Sequence, residues 1–190
     1  LRRLRRVPMA LWVQDLWPET LVAAGAIRSR LVLKLFERLV RGLYRRSDLL
    51  LVQSEEFVAP VVARGAAAHR VRFLPNWAES FYRPVDAGAD PVPAGALPSG
   101  FVILFAGNLG EVQSLETILG AAELLRDAPR VHWVFMGDGR RRAWLGQEIA
   151  RRGLGATVHL QEARPAAEMP RWLAAADALL VTLRADPALA

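Results

Sequence analysis

An α/β fold built on parallel sheets is what this sequence predicts, and three observations predict it. Short apolar runs of strand length alternate with helix-length segments along most of the chain. The runs, among them VPMALWVQ, SDLLLVQS, FVILFAG and VHWVFMG, are continuously apolar at their centres, the pattern of strands buried on both faces. One stretch rich in proline, glycine and alanine, RPVDAGADPVPAGALPSG, follows no apolar period and divides the 190 residues into two α/β runs.

In the first run, VPMALWVQ runs apolar from Pro8 and delivers Asp15 to the carboxyl end of a strand. After the turn LWPET, residues 28–46 show helical periodicity. Val32, Leu35, Phe36, Leu39, Val40 and Leu43 fall on one face, and Lys34, Arg38, Arg41 and Arg45 on another. SDLLLVQS is a second strand, EEFVAPVVARGA a helix interrupted by Pro60 and closed near Gly65, and VRFLPNW a third strand. The boundaries expected are a first domain over 1–83, a linker over 84–100 and a second domain over 101–190.

The second run pairs FVILFAG with the helix SLETILGAAELLRD, VHWVFMG with RRRAWLGQEIARRG, and TVHLQEA with PAAEMPRWLAAA, and ends on the strand DALLVTL. Doubly wound domains typically carry about five or six strands. Both sheets are therefore expected to be incomplete in this chain.

Composition narrows the chemistry. With 53% hydrophobic and 23% charged residues the chain can bury a sizeable core. The absence of cysteine excludes disulfides, thiolate metal sites and a cysteine nucleophile. No apolar run approaches the ~20 residues of a membrane span. Before Pro84 stand 15 basic and 7 acidic residues, and from it onward 10 and 12, so the net charge of +6 is carried by the first half. Such asymmetry suits an anionic neighbour, or reflects a plain excess of arginine. The basic helix with Lys34, Arg38, Arg41 and Arg45, together with the opening LRRLRR, is either a surface for anionic lipid headgroups or a solvated face. Nucleic acid is not expected, because no basic motif carries interleaved stacking aromatics. His69, His132 and His159 are far apart in sequence and no metal-ligand spacing occurs, so no metal is expected.

The motif with the clearest chemistry is Gly107-Asn108-Leu109-Gly110, between a strand and a helix that opens near Ser114. Such a turn lets the backbone approach a diphosphate at a helix N-terminus, with Gln113 as a neutral donor. Two glycines equally allow a strand-to-helix turn with no ligand. The next strand ends in Gly137-Asp138-Gly139, where Asp138 can cap the following helix or accept a ribose or base hydrogen bond. A third glycine of the dinucleotide fingerprint is lacking, which disfavours a nicotinamide enzyme. In the first half Gln14 and Asp15 stand just beyond a strand, flanked by Trp12 and Trp17. Rings beside polar groups suit a sugar, though tryptophans also simply pack.

The segments WVQDLWPE, YRRSDLLLVQS, LPNWAE, FAGNLGEVQSLETILGAAELL, VFMGDG and EMPRWLAAADALLVTL, in this order, resemble glycosyltransferase family 4, in particular the branch of bacterial capsule, O-antigen and exopolysaccharide assembly. The resemblance implies a GT-B fold of two Rossmann-like domains: residues 1–83 the C-terminal part of an acceptor-binding domain, residues 101–190 the N-terminal part of a nucleotide-sugar-binding domain. It implies metal-independent, retaining transfer from a nucleotide-sugar, a UDP-sugar, to a polyprenol-linked or saccharide acceptor at the inner face of the plasma membrane, with no further cofactor. By resemblance the diphosphate turn maps onto Gly107, Asn108, Leu109 and Gly110, and the acceptor-side loop onto Gln14 and Asp15. The chain departs from many members in having Asn108 and Gln113 where they have arginine and lysine, and Gln14 where they have histidine. The family's paired glutamates are expected beyond Ala190, so these residues are not expected to transfer sugar unaided. Two other readings stay open, a GT-B nucleotide-sugar epimerase and a non-catalytic nucleotide-binding module acting with a second subunit.

Overall fold

The computed structural model describes residues 7–18, 20–21, 29–85, 88 and 91–185. The LRRLRR opening and the start of the basic helix at Arg28 lie outside them. The chain forms two compact units, one reaching to Trp77 and the other running from Ala78 to Ala185.

In the first unit β1 (Ala10–Val13), β2 (Leu49–Val52) and β3 (Val71–Phe73) form a parallel sheet in the order β1-β2-β3. Helix α1 (Arg30–Arg46) crosses from β1 to β2, and α2 (Val58–Ala63) from β2 to β3. Pro60 does not interrupt α2. It sits in the first turn, where no N–H is needed, and the helix closes before Gly65 at φ 97°. Val13, Val40, Tyr44, Leu50, Val52, Val61, Ala66 and Val71 make the core. Buried Ser47 ends α1, its hydroxyl and N–H both donating to the Leu43 carbonyl.

Helix α1 buries little of its apolar face. Of its apolar residues Val40 is buried, and Tyr44 is buried beside it, but Leu31, Val32, Leu35, Leu39 and Leu43 are exposed, Leu35 by 65%. The helix is divided three ways rather than two. One strip meets the sheet, a second is apolar and exposed, and a third carries Lys34, Arg38, Arg41 and Arg45, all exposed. Three strands offer too narrow a surface to cover so broad an apolar face. Among the described residues no helix is long and apolar enough to cross a membrane.

In the second unit β4 (Phe101–Ala106), β5 (Val131–Met136), β6 (Val158–Gln161) and β7 (Ala178–Leu179) form a parallel sheet in the order β6-β5-β4-β7. Alternation along β4 and β5 divides the core. Phe105, Trp133 and Phe135 meet α3 (Leu115–Leu124) and α4 (Arg142–Arg151), whereas Val102, Leu104, Val134 and Met136 meet Trp172 of α5 (Met169–Ala174). Val92, Ala96 and Leu97, from the stretch read as a linker, also pack on this second face, and Gln161 donates to the Ala96 carbonyl. Arg152 ties α3 to α4 through Glu123 (2.8 Å) and Glu148 (2.9 Å).

The final strand is shorter than DALLVTL suggests. Pairing with β4 covers Ala178 and Leu179, after which Thr182 donates to the Gln113 carbonyl and the Arg184 N–H to the Val112 carbonyl. Bonding to the turn before α3 takes the chain out of the ladder.

Candidate functional site

Open parallel sheets gather ligands at the carboxyl ends of their strands, where backbone groups stop pairing. In the second unit the turns after β4, β5 and β6 enclose a cleft of about 400 Å³. Gly107 and Asn108 come from the first turn, Gly137 and Asp138 from the second, and Ala163 and Arg164 from the third, with Met169 and Leu173 of α5 and Tyr82 completing the wall.

The two glycine turns interlock through their backbones. Leu109 N–H donates to the Asp138 carbonyl (2.8 Å), and Arg141 N–H donates back to the Leu109 carbonyl (2.9 Å). A Cβ on Gly137 would overlap the Gly107 carbonyl, and one on Gly139 the Leu109 carbonyl. Glycine at 137 and 139 is thus a packing requirement. The Asn108 amide is tucked against Gly110 and Gly139, where a Cβ would come 2.7 Å from its Nδ2 and Oδ1 respectively. Gly107 differs, since a Cβ there meets no atom within 4 Å. The space beside it is open cleft.

Most of the turn's donors are already engaged. Gly107 N–H donates to the Met136 carbonyl (3.0 Å), continuing the β4–β5 ladder, and Gly110 N–H donates to Gln113 Oε1 (3.1 Å). Gln113, read from sequence as a donor to a ligand, braces the turn through its Oε1. Leu109 is fully buried. Of the five residues expected to face a diphosphate, Gly107 and Asn108 line the cleft, while Leu109, Gly110 and Gln113 support them.

Of the two roles open to Asp138, capping is not met. Helix α4 begins at Arg142 with Arg141 as its N-cap, so Asp138 does not cap it. Its Oδ1 accepts from Gly139 N–H (2.7 Å) and the carboxylate lines the cleft. Arg142 clamps the ends of β5 and β6 by donating to the Gly137 carbonyl (2.6 Å), the Gln161 carbonyl (2.7 Å) and Glu162 (2.6 Å).

Arg164 is the cleft residue that sequence reasoning passed over. Its guanidinium lies 4.8 Å over the Trp172 ring. The carboxylates nearest it in sequence are taken, Glu162 by Arg142 and Glu168 by Arg171 (2.7 Å). A signal existed, since this cation directly follows TVHLQEA, where the carboxyl end of a predicted strand would fall.

In the first unit Gln14, Asp15 and Trp17 do come together, lining a hollow of about 280 Å³ with Trp12 and with Val40, Leu43 and Tyr44 of α1. Gln53 Nε2 donates to the Gln14 carbonyl (2.6 Å) and Asn76 Nδ2 to Gln53 Oε1 (2.6 Å), so the ends of β1, β2 and β3 are joined by amides.

His132 and His159, distant in sequence, meet across β5 and β6, with Nδ1 of one 3.1 Å from Nε2 of the other. Burial, and then the neighbouring His132, lower the pKa of His159. Among the described residues no three His, Asp or Glu side chains are grouped so as to hold a metal ion.

Comparison with known proteins gives the following. Residues 1–77 match the family described as Glycosyl transferase 4-like domain, and residues 100–188 match Glycosyl transferases group 1. A protein of Escherichia coli K12 named as the colanic acid biosynthesis glycosyl transferase WcaI is 35% identical over 123 residues, covering 63% of this chain and 29% of its own length. A Pseudomonas aeruginosa protein named as the glycosyltransferase WbjE is 29% identical over 185 residues, covering 91% of this chain and 44% of its own. Among solved structures, Anabaena Alr3699/HepE in complex with UDP and glucose superposes with a TM-score of 0.68 at 18% identity, over 96% of this chain and 48% of that one. The chain spans less than half the length of these curated relatives.

Proposed function

We propose, from the match of residues 1–77 to a Glycosyl transferase 4-like domain and of residues 100–188 to Glycosyl transferases group 1, that the protein transfers a sugar from a nucleoside diphosphate donor, a UDP-sugar, to a saccharide or polyprenol-linked acceptor in cell-surface polysaccharide synthesis. One observation carries the reading: at the carboxyl edge of β4–β6 the open side of Gly107 shares one cleft with Asp138 and Arg164. In this reading the diphosphate lies along Gly107 and the Asn108 amide, where negative charge grows as the sugar leaves. Asp138 accepts from ribose hydroxyls, and the planar Arg164 guanidinium stacks on the base. Transfer with retention and without a metal is the course proposed. WcaI and WbjE, named as transferases, and HepE, crystallised with UDP and glucose, support the assignment of class and donor.

The place of action proposed is the inner face of the plasma membrane, with α1 resting on anionic lipid. The cations Lys34, Arg38, Arg41 and Arg45 would meet headgroups while the exposed leucines enter the interface.

Calorimetry with UDP tests the donor site. Gly107→Trp, whose ring would occupy the open cleft, is expected to abolish binding while the circular dichroism stays that of the unsubstituted chain. Unchanged UDP affinity in this variant would sink the assignment.

A further inference from the structure

One side chain that is not in the wall of the donor cleft holds the segment joining the first glycine turn to α3. Arg141 follows the second glycine turn, and its N–H donates to the Leu109 carbonyl of the first (2.9 Å). Its guanidinium reaches Glu116 (2.5 Å) in the first turn of α3 and Glu111 (3.7 Å), the residue directly after the glycine turn. Trp144, itself packed on the core, lies against the guanidinium, whose carbon is 3.6 Å from the ring centroid. The Arg141 side chain is left only 13% exposed.

The span from Glu111 to Glu116 needs such a hold. Within it Ser114 sits at φ 51°, the left-handed region that a residue with a Cβ seldom adopts and that persists only where surrounding contacts impose it. The span also carries Gln113, whose Oε1 accepts from the Gly110 N–H and so fixes the end of the turn whose start, Gly107 and Asn108, lines the cleft. Although burial opposes it, hydrogen bonds from its own N–H and from Arg141 bring the Glu116 pKa below the ordinary carboxylate value, so this carboxylate is ionised near neutral pH. A planar guanidinium meets two carboxylates and an indole face at once, which a lysine ammonium does not.

We propose that Arg141 is a positioning residue for the donor diphosphate: by bridging Glu111 and Glu116 it fixes the span between them, and through that span the edge that Gly107 and Asn108 present to the ligand. The inference rests on the donor reading of the cleft and deepens it. A misplacement of about 1 Å costs an enzyme up to about a hundredfold in rate, so a loosened turn matters even where the fold survives. Uridine, which has no phosphate to meet the turn, would not sense the change.

The test is calorimetry with UDP and with uridine. Arg141→Gln is expected to weaken UDP about tenfold and leave uridine unchanged, and Arg141→Lys to keep part of the UDP affinity. Glu111→Gln combined with Glu116→Gln leaves Arg141 in place and is expected to show the same selective loss, with Arg141→Gln adding nothing further to it. This double variant carries the comparison if Arg141→Gln does not fold. Unchanged UDP affinity in these variants overturns the proposal, as does an equal loss of UDP and uridine, which a general loosening of the unit would give. Tighter UDP binding by the double variant overturns it too, because the freed guanidinium would then bind phosphate itself. If the parent chain takes up no UDP, the donor reading falls and this role falls with it. If the parent binds UDP and the variants match it, the role of Arg141 alone is lost.

Discussion

Gly137 lies so close to the Gly107 carbonyl that no Cβ fits between them. The two turns that shape the cleft are thus held by backbone against backbone, and the two glycines carry unequal burdens. Gly137→Ala forces the turns apart and is expected to destabilise the second unit by about 1–3 kcal/mol, in the range of overpacked cores. Gly107→Ala places its methyl in open space and should lower stability less. Urea unfolding of both variants, followed by tryptophan fluorescence, measures the difference. Equal losses would show that the interlock does not hold the turns.

Arg164 supplies the positive charge in a cleft whose glycine turn carries neutral Asn108. If the guanidinium stacks on the base, Arg164→Gln weakens UDP and uridine alike, each about tenfold. If it contacts phosphate, UDP affinity falls while that of uridine holds. Calorimetry with both ligands decides, and an unchanged affinity for both would remove Arg164 from the site.

The His132–His159 contact gives the second unit an acid-sensitive seam. The pKa of His159 is lowered by burial first and by His132 second, so the folded state favours the neutral ring. Below the ordinary value of 6.5 the unfolded chain takes up a proton more readily than the folded one. The stabilisation is therefore present above that pH and lost as pH falls toward the lower folded pKa. Thermal melts from pH 7.5 to pH 5 should show the midpoint falling, and His159→Gln should flatten this fall. A variant that retains the full slope would place the acid sensitivity elsewhere.

Helix α1 makes a prediction about lipid. Co-sedimentation with vesicles containing phosphatidylglycerol should weaken when Lys34, Arg38, Arg41 and Arg45 are neutralised, and also when Leu35 and Leu39 become aspartate. The charge variant should lose its salt dependence. Equal binding by both variants and the parent chain would remove this helix as the anchor.

The strands were legible because most are short, largely apolar runs, and β4 and β5 follow FVILFA and VHWVFM residue for residue. The paired glycine turns were legible as spacing, but which donors they leave free was not. That depends on Gln113 folding back onto Gly110 and on Leu109 reaching Asp138, contacts no local pattern encodes. Arg164 was missed because a single cation after a strand is common, and its meaning arises only when Glu162 and Glu168 turn to Arg142 and Arg171. The exposure of the α1 leucines was not legible for a related reason. Periodicity identifies an apolar face, and the number of strands beneath decides how much of it is covered.

That uncovered face will govern how the purified chain behaves at the bench. Leu31, Leu35 and Leu39 stand one helical turn apart and each more than half exposed, a ready seam for a second copy at high concentration. Light scattering should therefore rise as the sample is concentrated and fall back when a mild detergent coats the leucines.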